Sequence, residues 1–191
     1  SMSKILISGY YGFANAGDEA MLTAIIESLR QVEKNVELTV LSGNPEDTAA
    51  KHQVCSVYRF NPLGIIRAMK DSELIISGGG SLLQDVTSKR SLLYYLSIIG
   101  LGKFFGKKVM LFAQGIGPIR AKWARKLTSL VCNEADLITV RDSESAAELI
   151  EMGVKPEKIT VTADSVLSLN PVTKECGQYL LQEAGVDLTK P

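Results

Sequence analysis

Seven short apolar runs set the terms on which this chain folds: residues 5–7, 36–41, 54–58, 74–76, 109–112, 137–140 and 159–161. Several are apolar at consecutive positions rather than at every second one. An alternating strand shows one face to water, whereas a continuously apolar strand needs cover on both faces, as inside a parallel sheet flanked by helices. The intervening segments can supply that cover. Met21, Leu22, Ile25, Ile26 and Leu29 recur at helical spacing, as do Leu127, Leu130 and Val131, and then Ala146, Leu149 and Ile150. The alternation predicts an α/β fold, a doubly wound parallel sheet of Rossmann-like type. With 191 residues and 46% hydrophobic content the chain can bury a full single-domain core. Asp18 and Ser143 are expected as helix N-caps, and Gly153 followed by Pro156 as a helix stop. A last helical pattern runs from Lys174 to Ala184.

In such a sheet ligands bind beyond the carboxyl ends of the strands, so the strand-to-helix loops hold the candidate chemistry. Four stand out: SGYYGFANAGDEA, SGGGSLLQD, AQGIGPIR and RDSES. The first carries Gly9, Gly12 and Gly17, whose spacing fits neither the dinucleotide fingerprint nor the P-loop. Asp18 and Glu19 put negative charge where a helix start would otherwise attract phosphate. Asn15, Asp18 and Glu19 suit the hydroxyls of a neutral polyol, with Asp18 as a base. The competing reading makes Asp18 a cap and Asn15 an Asx turn. In the second loop Gly78, Gly79 and Gly80 leave backbone N–H groups open and Ser81 adds a hydroxyl, a combination suited to an anionic or sugar oxygen. Gln114 and Gly115 offer an amide beside an approachable backbone, although a structural turn explains that loop nearly as well. Arg141 can fork onto a carboxylate or phosphate, or pair with Asp142 or Glu144. Asp85 and Asp164 are further candidates, more simply read as turn formers. Together these loops suggest an uncharged sugar acceptor meeting an anionic donor.

Other classes are disfavoured. Lys and Arg total 21 against 21 Asp and Glu, with no basic cluster, so nucleic acid is not an expected partner. Cys55, Cys132 and Cys176 are odd in number and widely spaced, which reads as core thiols and neither a disulfide framework nor a zinc site. No metal is expected. His52, the single histidine, sits in the polar stretch PEDTAAKHQ and reads as a solvated surface residue. The apolar segment 92–106 contains Lys103 and is too short to span a bilayer, so a buried helix is the expectation and contact with a membrane surface the minority alternative. No signal peptide is visible, and a cytoplasmic location is expected.

The motifs GYYGFANAGDEA, SGGGSLLQD, FAQGIGP, ITVRDSES and VTADSVLSL, in that order, resemble the polysaccharide pyruvyl transferase family, and within it the bacterial cell-wall members. The resemblance implies transfer of pyruvate from phosphoenolpyruvate, as a cyclic ketal, onto two hydroxyls of one sugar. No cofactor is implied beyond that donor substrate. For the cell-wall members the implied acceptor is N-acetylmannosamine in a secondary cell-wall polymer or its lipid-linked precursor, supporting S-layer anchoring at the inner face of the membrane. It also implies a two-domain GT-B-like enzyme, with residues 1–170 as the Rossmann-like N-terminal domain and 171–191 as a linker or the start of a second domain. Asn15, Gly17, Asp18, Gly78, Gly79, Gly80, Gln114, Gly115 and Arg141 lie in the matching motifs. Asp18 is then the candidate for hydroxyl activation and Arg141 for holding the donor. The family's C-terminal histidine and basic residues have no counterpart in these residues, so this chain alone is expected to be inactive. The rival readings are a GT-B glycosyltransferase using a nucleotide sugar and a non-catalytic sugar-binding module.

Overall fold

A computed structural model describes residues 3–84, 88–162 and 174–183. Asp85, Asp164 and the side chain of Ser81 lie outside what it describes. The strands are β1 (Lys4–Ser8), β2 (Glu37–Ser42), β3 (Cys55–Tyr58), β4 (Leu74–Ser77), β5 (Gly80–Leu83), β6 (Lys108–Ile116), β7 (Leu137–Val140) and β8 (Ile159–Val161). Every pairing among them is parallel. Their order is β3-β2-β1-β4-β6-β7-β8, and β5 continues the line of β4 along β6. The chain winds outward from β1 to β3 and then returns to the other side of β1. The switch point therefore falls between β1 and β4, the doubly wound α/β arrangement expected from the sequence.

Helices cover both faces. On one side α3 (Pro62–Asp71), α4 (Lys89–Phe104), α5 (Lys122–Glu134) and α6 (Ser143–Met152) pack through Ile65, Leu96, Ile99, Ala124 and Leu149 onto Leu6, Ile75, Val109, Leu111 and Ile138. On the other, α1 (Ala16–Val32) and α7 (Lys174–Glu183) pack Leu22, Ile25, Leu29 and Leu180 onto Ile5, Ile7, Leu74, Ile76 and Met110. Successive residues of β4 thus feed opposite cores, and all four are buried. Segment 92–106 is largely α4, with Leu92, Leu96 and Ile99 in the core; no helix among the described residues is long and apolar enough to cross a membrane.

The structure corrects several local expectations. α1 and α6 are capped by Asn15 and Asp142, not by Asp18 and Ser143; each cap accepts the N–H of the residue three positions on. Gly153 does end α6, with φ +111°. The SGGGSLLQD loop contains β5, and β6 runs on through Gln114 and Gly115, so those two are strand residues. The extension is possible because β6 gains β5 as a partner on one side while the β6–β7 register shifts between Leu111 and Gln114 on the other. Ala113 sits there at φ +52° and donates its N–H to Thr139 Oγ1 at 2.7 Å. His52, expected in solvent, is at the end of α2 (Pro45–His52) with its side chain only 10% exposed, and its Nε2 is 3.8 Å from Glu19 Oε1. Cys132 and Cys176 are buried as expected, but Cys55 is exposed on the edge strand β3. Burial pushes the Cys132 thiol up to about 12.

α7 lies within the stretch 171–191 and docks on α1, burying Cys176, Leu180 and Leu181 completely. Gly177 makes the close approach possible, since a Cβ there would run into the Ser28 carbonyl oxygen. Gly177→Val should therefore destabilise the chain by about 1–3 kcal/mol through overpacking. Gly100→Ala in α4, where an added Cβ meets nothing within 4 Å, should instead stabilise by about 0.5–1 kcal/mol. Urea unfolding of the two variants checks this; a neutral Gly177→Val would mean that α7 does not pack on α1.

Candidate functional site

The carboxyl ends of β1, β4 and β6 meet at the switch point, and the side chains there are tightly interlocked. Tyr11 folds back beneath the first loop against Gly9 and Gly78; a Cβ on Gly9 would stand 2.6 Å from Tyr11 Oη, and one on Gly78 would collide with it. The ring is fully buried, and burial first, then the charge of Asp18, holds the phenol far above its ordinary range. Gln114 reaches across from β6, its Nε2 donating to Ser77 O at 2.9 Å and Gly78 O at 3.1 Å. This amide bolts β6 to the exit of β4. Around it Tyr11 Oη, Ser8 Oγ and Gln114 Oε1 are buried without hydrogen-bond partners. Each such group costs about 1–3 kcal/mol when left unpaired. All three lie close to Ser77 and Gly78, where the ends of β1, β4 and β6 come together.

Asp18 is the third residue of α1. Because Asn15 Oδ1 accepts the Asp18 N–H at 3.1 Å, the Asp18 carboxylate is not the cap. It leans on the second loop, with Oδ1 2.8 Å from the position of a Cβ on Gly80. Partial burial, and secondarily Glu19, raises its affinity for a proton above that of an ordinary aspartate. Asn15 and Gly17 are exposed at the same helix start. The glycines of the second loop do not form an open anion nest. Gly78 and Gly79 are buried, Gly78 donates its N–H to Ser8 O at 2.7 Å, and Met21 packs on Gly79. They are glycines because side chains from α1 and its loop lie on them. Gly80, at φ +96°, is the partly open member.

Arg141 follows β7 and lays its guanidinium on Gly115, where a Cβ would be 2.6 Å from Nε. Its Nε is 3.4 Å from Asp142 Oδ2, and both side chains are about half exposed. Asp142 also accepts the Ser145 N–H at 2.8 Å, and that bond holds its carboxyl below the usual range. The expected pairing of Arg141 with Asp142 therefore exists, but it leaves much of the guanidinium open to solvent. Gly80 pairs with Gln114, and Gln114 with Val140. Gly80, on which Asp18 leans, and Gly115, on which Arg141 lies, thus belong to the adjoining strands β5 and β6. The site joins Asn15, Asp18, Gly80, Gln114, Gly115 and Arg141, and adds Tyr11 and Ser8, which the sequence did not single out. Among the described residues no group of three or more His, Cys, Asp or Glu converges as a metal set. A concavity of about 540 Å³ beside Lys4, Arg30, Glu37 and Gln53 lies at the opposite edge of the sheet. The uncommitted polar atoms of the strand ends mark the crest instead.

The profile of the polysaccharide pyruvyl transferase family matches residues 15–177, from the Asn15 cap to the helix that docks on α1. The chain belongs to the polysaccharide pyruvyl transferase family. No curated protein matches it. Solved structures similar to this pyruvyl transferase family chain include Anabaena Alr3699/HepE in complex with UDP and glucose, with 13% identity and a TM-score of 0.56 over 83% of this chain and 43% of that one. The lipopolysaccharide outer core galactosyltransferase WaaB, in its apo form, has 16% identity and a TM-score of 0.52 over 83% and 45% of the two chains. The UDP-GlcNAc 2-epimerase from Neisseria meningitidis bound to UDP-GlcNAc has 12% identity and a TM-score of 0.54 over 84% and 46%. At such identities the likeness is one of fold, and the chain spans less than half the length of each.

The environment of Asp18 has a measurable consequence. Its carboxyl should titrate above the ordinary value of 3.8 in a carbon-detected NMR titration. Glu19→Gln should bring it part of the way back, since burial is the larger cause. Because the folded-state affinity for the proton is raised, this group makes the fold less stable as pH rises through the window between the ordinary and the raised values. Asp18→Asn should remove that dependence. A titration at or below the ordinary value would contradict the geometry.

Proposed function

We propose that the crest is the acceptor side of a phosphoenolpyruvate-dependent ketal pyruvyl transferase. The observation that carries this reading is the Asp18 carboxylate. It is partly buried, free of the capping role and raised in its affinity for a proton, and it leans on Gly80 of β5, the strand beside the β6 residue Gly115 that Arg141 covers. In the reaction, a proton adds to the methylene carbon of phosphoenolpyruvate and a sugar hydroxyl attacks the resulting oxocarbenium-like carbon. Phosphate then leaves, and a second hydroxyl of the same sugar closes the ketal. Asp18 takes the proton of an attacking hydroxyl, and Gln114 Oε1 and Tyr11 Oη offer hydrogen bonds to the sugar beside it. Arg141 holds the donor's carboxylate or phosphate. The acid that protonates the methylene carbon comes from outside these residues.

The acceptor on this reading is N-acetylmannosamine in a secondary cell-wall polymer or its lipid-linked precursor, as for CsaB-like members. The modification then serves S-layer anchoring, and it takes place in the cytoplasm at the inner face of the membrane. The family match supports polysaccharide pyruvylation as the class.

In the complete protein, acceptor should trigger phosphate release from phosphoenolpyruvate. Turnover of a UDP-sugar instead would overturn the proposal. Asp18→Asn should lower kcat by ~10²–10⁴-fold, the range for loss of a general base, while phosphoenolpyruvate affinity stays nearly unchanged. Since Asn15 supplies the cap, the substitution should leave the helix intact. Near-wild-type turnover would remove Asp18 from the mechanism.

A further inference from the structure

We propose that this chain forms a twofold-symmetric dimer in which α5 lies antiparallel against α5 of a second copy, with the axis passing beside Leu130. The inner face of α5 is occupied, since Ala124, Thr128 and Cys132 are buried. Its outer face carries Trp123, Lys126, Leu130 and Glu134, spaced three or four residues apart and therefore in one line along the helix. All four are exposed, Leu130 at 58% and Trp123 at 49%. Among the described residues no ion pair includes Lys126 or Glu134.

The charges along that line are complementary to themselves. Lys126 stands four residues before Leu130 and Glu134 four residues after it. Antiparallel pairing about Leu130 therefore sets the Lys126 of each copy opposite the Glu134 of the other, twice by symmetry, with the two Leu130 side chains between them. Lys122, in the first turn, then faces the carboxyl end of the partner helix, where free carbonyls carry partial negative charge. Parallel pairing would instead set Lys126 against Lys126 and align the two helix dipoles. An anionic surface would attract Lys122 and Lys126 but repel Glu134 in the same line, whereas a second copy uses both signs.

Beside the charged line the surface is apolar. Leu93, Ser97, Gly100 and Leu101 of α4 and Leu127 and Val131 of α5 line a groove of about 440 Å³. Leu130 neighbours Leu127 on the helix surface, so a second α5 laid along the first carries its own Leu130 to that groove. Gly100 leaves space there, because a Cβ on it would meet nothing within 4 Å. Glycine inside a helix is destabilising relative to alanine, and a partner side chain over Gly100 would use the room it leaves. An apolar centre with charges at its margin is the usual anatomy of an interface. Leu130 lies eight residues after Lys122, the first residue of α5, or about 12 Å down from the crest. The pairing thus leaves both crests uncovered, and the antiparallel helices turn them to opposite ends of the dimer. None of this rests on the pyruvyl-transfer reading.

Sedimentation equilibrium of this chain tests the proposal. It should show a reversible monomer–dimer equilibrium with a Kd below about 100 μM. Leu130→Asp should abolish the dimer. Lys126→Glu alone and Glu134→Lys alone each set like charges opposite one another twice, and each should weaken association about tenfold or more. An equimolar mixture of those two variants should recover it, because both pairings across the axis are again between opposite charges. All three positions are exposed, and circular dichroism reports whether each variant is folded. The wild-type measurement decides the matter even if a variant is not. A wild-type chain that stays monomeric at about 100 μM, a dimer indifferent to Leu130→Asp, or a mixture that associates no better than either charge variant alone would overturn the proposal. Flotation of the monomeric chain with phosphatidylglycerol vesicles would assign the face to a lipid surface and overturn it equally.

Discussion

β4 is buried at every position from Leu74 to Ser77, because helices close over both faces of the sheet. A strand in that position has no side on which to display chemistry. Polar function is therefore confined to the strand ends, and the parallel direction makes one edge different from the other, since the carboxyl ends of β1, β2, β3, β5, β6 and β7 lead into helix starts. The switch between β1 and β4 opens that edge at its centre. The residues proposed as functional stand there for that reason, and the remaining loops and caps serve to bring them close.

Closeness at the crest is achieved by removing side chains. Gly9 and Gly78 make room for Tyr11, Gly80 for Asp18 and Gly115 for Arg141. Each pairing brings a functional side chain onto backbone. The same economy leaves Ser8 Oγ, Tyr11 Oη and Gln114 Oε1 without partners in the dry centre of the crest. Such groups lower stability, and these three gather at this edge of the sheet.

Much of the fold was legible in the sequence because burial on two faces leaves a plain trace. The seven apolar runs correspond to β1, β2, β3, β4, β6, β7 and β8, and the last helical pattern to α7. What escaped was set by tertiary pairing. β5 reads as a glycine loop, since only its register with β6 makes Gly80 a strand residue. Asp18 and Ser143 are chemically as good as the true caps, Asn15 and Asp142, so composition could not rank them. His52 lies in a polar stretch, yet its fold neighbour Glu19 takes it out of solvent. The site was half legible: its loops were visible, and Gln114 and Arg141 with them. The triple glycine carried no sign that Tyr11, Met21 and Asp18 would occupy it.

The central claim is that the crest at the carboxyl ends of β1, β4 and β6 receives the acceptor sugar. Backbone amide shift mapping of this chain with N-acetylmannosamine tests it most directly. The account predicts that the largest shifts fall on Ser8, Tyr11, Asp18, Gly80, Gln114 and Gly115. Shifts concentrated around Lys4, Glu37 and Gln53 at the opposite edge, with the crest unmoved, would contradict it.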